Sequence, residues 1–86
     1  MRRTGWGGEL PADDDEARVR IIEACRNAIA DSEHPQLSLS EVARRLSVTR
    51  QTVYRYFPST QALLTAVAID AGRRMYDMLL SVRELD

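Results

Sequence analysis

Apolar positions along the chain fall into four runs at helical spacing, each bounded by capping or helix-breaking residues. In the first run Ile21, Ile22, Cys25, Ala28 and Ile29 form one stripe. Asp13 and Glu16 have capping-box spacing at its start, and the acidic cluster there suits the positive end of the helix dipole. The run must end by Glu33, because His34 precedes Pro35 and is pushed out of the α region. Ser38 and Glu41 form a second capping-box pair, hydroxyl to backbone N–H one way and carboxylate back the other; Leu39, Val42, Ala43 and Leu46 follow as one face. Thr49 caps a third helix from Arg50, in which Val53 and Phe57 point inward, four apart. Pro58 breaks it and Ser59 caps a fourth, predicted from Thr60 to the low 80s, with Leu63, Leu64, Val67, Ala71, Met75, Leu79 and Val82 as its stripe.

Only Ser47 and Val48 separate the second helix from the third, so the two must cross steeply. The small side chain of Ala43 lets their backbones approach at the crossing, and the pattern is a helix-turn-helix. Ser47 stands where such a turn needs φ > 0, at a cost on the order of 1 kcal/mol that a packed domain absorbs. With Val53 and Phe57 inward, Arg50, Gln51, Thr52, Tyr54, Arg55 and Tyr56 are left wholly or partly exposed. Arg pairs bidentately with guanine, Gln with adenine, and Thr meets a base edge or a thymine methyl. Tyrosine hydroxyls suit phosphate contact beside a groove. The set therefore predicts a DNA-reading surface, with Arg50, Gln51 and Thr52 nearest the helix start as base readers and Arg55 next.

Composition and charge narrow this further. Eighty-six residues make one small domain, and the helix-rich composition with a single Phe predicts an all-α class. The net charge of −1 is unevenly spread: residues 38–60 carry +3, whereas 13–37 carry −4. A nucleic-acid binder needs positive charge at its contact surface and not overall. Every basic residue is arginine. No apolar run approaches the roughly 20 residues of a membrane span, and the polar, Gly-rich start is no signal peptide. A lone Cys25 excludes an internal disulfide and fits a reducing cytoplasm.

Residues 1–12 hold three glycines and a proline without periodicity, which predicts a disordered arm with a basic tip at Arg2 and Arg3, of a kind that can reach a minor groove. A mobile tail with incidental arginines is the favoured reading of it over a groove contact, and Trp6 among the glycines should either fold back or meet a partner. No carboxylate or His is spaced to make the Asp13–Glu16 cluster a metal site, and the lone His34 has no catalytic partner. With no nucleophile–base pair and no Gly-rich phosphate loop either, the chain reads as a non-enzyme without cofactor. The alternative to DNA is a helical interaction module that sets the same arginines and tyrosines against an acidic protein surface.

Val48-Thr49-Arg50-Gln51-Thr52-Val53-Tyr54-Arg55-Tyr56-Phe57-Pro58-Ser59 followed by Ala62-Leu63-Leu64 resembles the DNA-binding domain of TetR-type bacterial repressors. The first helix, with Ile21, Ile22, Ala24, Cys25 and Ile29, is similar to that family's, so the resemblance covers roughly residues 15 to 70. The family usually has Gly where Ser47 stands and Lys where Thr60 stands; at Thr60 a neutral hydroxyl replaces a charge on phosphate. The resemblance implies a homeodomain-like three-helix unit whose third helix enters the major groove of double-stranded DNA. Ser38, Ser40, Arg44, Thr49, Tyr54, Tyr56 and Thr60 are then the phosphate-positioning residues. It also implies a homodimer on a near-palindromic operator and a small-molecule effector bound in a larger C-terminal domain. A fourth helix of more than about 30 Å overhangs a three-helix core, which predicts that residues 59–86 connect the helix-turn-helix domain of 13–58 to that further domain beyond Asp86.

Overall fold

A computed structural model describes residues 5–31 and 38–84, the side chains of 83 and 84 excepted. Among the described residues are four α-helices and no strand: α1 (Asp14–Asp31), α2 (Leu39–Leu46), α3 (Arg50–Tyr56) and α4 (Thr60–Glu84), preceded by a 3-10 turn at Trp6–Gly8. The caps explain three of the starts. Asp13 Oδ1 accepts from the Glu16 N–H at 2.9 Å, Ser38 Oγ from the Glu41 N–H at 3.1 Å, and Ser59 Oγ from the Ala62 N–H at 3.0 Å. Neither capping box closes as expected. Glu16 reaches back one residue further, to the Ala12 N–H at 3.2 Å, and the Glu41 carboxylate turns forward to Arg44 and Arg45, whose charge outbids a backbone N–H. The break expected before Pro35 lies outside the described residues.

One core joins all four helices: Ile21, Ala24 and Cys25 of α1; Leu39, Val42 and Ala43 of α2; Val53 of α3 with Phe57 after it; Leu63 and Val67 of α4. Ala43 is buried where α2 packs on α3. Ser47 ends α2 in the left-handed region at φ 60, and the turn is held by Val48 N–H to the Ala43 carbonyl at 3.0 Å. Ile29 departs from the expected stripe. It lies eight residues beyond Ile21, roughly 80° around the helix, and is left 37% exposed, while Ala24 takes the inward place. Leu64 is off the buried line of Leu63 and Val67 for the same reason and is exposed.

Two further features bear on function. Beyond Asp70, every residue of α4 from Ala71 to Val82 is exposed, Met75, Met78, Leu79 and Val82 among them. Residues 5–12, predicted disordered, are instead folded back, with Trp6 half buried against the core. Burial of an indole outweighs the local glycine entropy there.

Candidate nucleic-acid interface

Capping chemistry builds the reading surface. Thr49 Oγ1 accepts from the Thr52 N–H at 3.2 Å and shares a second hydrogen bond of 3.0 Å with the Thr52 hydroxyl. This pins the first turn of α3 and turns the Thr52 hydroxyl back toward its cap, with the residue half buried. Arg50 and Gln51, on the same turn, are exposed, as are Tyr54 and Arg55 one turn on. Val53 beneath them is fully buried and Phe57 nearly so, so α3 is seated by one side only.

Charge separates this surface from the rest of the domain. Arg18, Arg20, Arg26, Arg44, Arg45 and Arg74 each lie within 4 Å of a carboxylate. Among the described residues, Arg50 and Arg55 have no such partner; Arg73, on the overhanging part of α4, is the other arginine in that state. An exposed guanidinium with all five donors open suits a phosphate or a guanine edge. The tyrosines differ. Tyr54 is half exposed, whereas Tyr56 packs on the core, donates its hydroxyl to Asp14 Oδ1 at 3.4 Å, and has the Arg18 guanidinium 5.7 Å above its ring.

The remaining predicted residues flank α3 in space. Ser38 spends its hydroxyl oxygen on the α2 cap, Ser40 is exposed in the first turn of α2, and Thr60 is half buried at the start of α4. Arg44 is exposed but held by Glu41 through Nε at 3.1 Å and Nη2 at 2.6 Å, and Arg45 joins them through its Nε at 3.0 Å. Hydrogen bonds from Arg44 and then Arg45 hold the Glu41 carboxyl down at about 2. Arg2 and Arg3 lie outside the described residues. Sequence reading missed two things: that Glu41 masks Arg44, for which the i, i+3 and i, i+4 spacing was a visible signal, and that Gly5 lies against the Ser47–Val48 turn; the fold-back of Trp6 onto the core is one of the two outcomes expected of it.

No metal-binding cluster occurs among the described residues, and no helix there is long and apolar enough to cross a membrane. The chain matches the family model for the bacterial regulatory proteins of the tetR family over residues 21–67. The match opens on Ile21 and closes on Val67, the first and last members of the core cluster. Three relatives from Mycobacterium tuberculosis are similar. The uncharacterized HTH-type transcriptional regulator Rv2250c is 35% identical over 48 residues, 56% of this chain and 25% of that protein. HTH-type transcriptional regulator AlkX is 32% identical over 60 residues, covering 70% and 28%. HTH-type transcriptional regulator Rv1816 is 31% identical over 70, covering 81% and 30%. The chain thus spans between a quarter and a third of the length of these relatives. No solved structure gives a significant match.

Proposed function

The chain belongs to the tetR family of bacterial regulatory proteins, which makes it a DNA-binding transcription regulator, and we propose that α3 is its recognition helix, inserted in the major groove of an operator. The observation that carries this is the pair of exposed arginines on α3, Arg50 and Arg55, which have no carboxylate partner among the described residues, in a domain whose other described arginines are nearly all neutralised. Arg50, Gln51, Thr52 and Arg55 read base edges. Ser40, Tyr54 and Thr60 hold phosphates, with Ser38, Thr49, Tyr56 and Arg44 contributing only as far as their internal partners release them. Arg2 and Arg3 add a minor-groove contact from the N-terminal arm.

The domain division proposed is an arm over 1–12, the reading unit over 13–58 and a connecting helix over 59–86. The exposed apolar side of α4 past Ala71 supports a C-terminal domain beyond Asp86 that takes a small-molecule effector and forms a homodimer. The activity is that of a cytoplasmic, non-enzymatic, ligand-responsive repressor on a near-palindromic site. Gel shifts of the 86-residue chain on random duplex at two salt concentrations test the central assignment. DNA binding predicts a steep fall of log K with log salt. Absent binding in dilute buffer, with weakly salt-dependent capture of an acidic peptide, would transfer the Arg/Tyr face to a protein partner.

A further inference from the structure

The turn before α1 touches the helix-turn-helix at the one place where α3 lacks an anchor of its own. The buried residues that seat α3 are Val53 at its middle and Phe57 at its end, so the first turn, with Arg50, Gln51 and Thr52, depends on Ser47 and Val48 for its placement. We propose that Gly5 and Trp6 brace that turn, and that Trp6 is a positioning residue for base reading without itself being a DNA contact. The inference rests on the DNA-reading assignment above.

Three observations carry it. Gly5 lies directly against the turn: a Cβ at this position would sit 3.0 Å from Val48 Cγ1 and 3.1 Å from the Ser47 carbonyl oxygen. Trp6 is half buried on the same core cluster against which Val48 packs. Trp6 also holds φ 64, a left-handed conformation that a side-chain-bearing residue keeps only where its surroundings over-determine it. The brace is closed on itself and tied to α1. Gly8 N–H donates to the Gly5 carbonyl at 3.2 Å, and the Arg20 guanidinium of α1 donates to the Glu9 carbonyl. A connection therefore runs from α1 through residues 5–9 to the Ser47–Val48 turn at the entry of α3.

The test uses the 86-residue chain, a duplex enriched by selection from a random pool, and random duplex as reference. The readout is the ratio of the two affinities in Trp6→Ala, Trp6→Phe and Gly5→Ala, with folding checked by circular dichroism. Trp6→Ala and Gly5→Ala should each lower the ratio by at least about fivefold, the equivalent of one lost base-edge pair. The salt slope on random duplex should not change, since no phosphate contact is removed, and Trp6→Phe should recover most of the ratio. A folded Trp6→Ala chain with an unchanged ratio overturns the brace, as does a loss of affinity for random duplex itself, which would make Trp6 a contact. A wild-type chain that does not discriminate at all removes the DNA-reading assignment, and the brace with it. Should the variants not fold, the wild type still decides: Trp6 is the only tryptophan, so its emission should be blue-shifted and shielded from iodide, and water-like emission overturns the proposal.

Discussion

Replacing Glu41 by Gln should tighten the grip of the chain on random-sequence DNA. The Glu41 carboxylate is shared between Arg44 and Arg45, but Arg45 has a second partner, its Nη1 lying 3.0 Å from Asp31 Oδ2. The substitution therefore releases one guanidinium, that of Arg44, whose side chain is already 69% exposed. Gln serves at the third position of a helix much as Glu does, so α2 should keep its start. One more cation on a phosphate steepens the dependence of log K on log salt by about 0.9, or roughly eightfold in affinity on going from 1 M to 0.1 M salt. Anisotropy of a labelled random duplex over a salt series measures that slope directly, with thermal melts as the folding control. A folded Glu41→Gln chain with the wild-type slope would refute the claim that Glu41 keeps Arg44 from the duplex.

The same carboxyl has a pH signature: it is held at about 2 in the folded chain against an ordinary value of 4.5. The unfolded chain takes up that proton first as pH falls, so the stabilisation is present above 4.5 and is lost on descending toward 2. Acid melts of Glu41→Gln should lack that part of the decline; identical pH profiles would argue against the pairing. Arg50→Ala should cost about 1–3 kcal/mol on a selected duplex and relax preference at one base pair, whereas an equal loss on random DNA would show phosphate contact only. Leu63→Ala should cost about 2–5 kcal/mol in chemical denaturation, and Leu79→Ala within about 0.5 kcal/mol of nothing; equal costs would mean that the far part of α4 is covered in solution. Burial pushes the Cys25 thiol up, so a thiol reagent at neutral pH should modify it only on unfolding, and rapid labelling of the native chain would contradict its place in the core.

Helix positions were legible because each start carries its own chemistry. Thr49, Ser59 and Ser38 announce α3, α4 and α2 by side chains that bond the backbone three residues on. Inward faces were legible where a helix meets the core and not beyond it: of the α4 stripe only Leu63 and Val67 are buried. Ile21, Cys25 and Ala28 repeat cleanly on α1, but a stripe written from apolar residues alone admits Ile29, which is rotated to the edge of the buried face. Exposure of Arg50, Gln51 and Arg55 followed from the inward pair Val53 and Phe57. What the pattern did not carry was competition between side chains. Whether Glu41 caps its helix or binds two arginines is decided by charge, and whether Trp6 floats or docks is decided by a surface that exists only once α1, α2 and α3 have met. The Gly-rich flank pointed toward disorder, and one indole reversed it.

The last core residue of α4, Val67, is fifteen positions from Val82, a distance of roughly 22 Å at 1.5 Å per residue. Mechanically this stretch is a lever arm with its fulcrum in the core and its short end joined to α3 by Phe57, Pro58 and Ser59 alone. A push of about 2 Å at the far end corresponds to a tilt of only about 5° over that length. On the function proposed above, a displacement smaller than a side chain out there would become a change of aim for Arg50 and Gln51 at the other end.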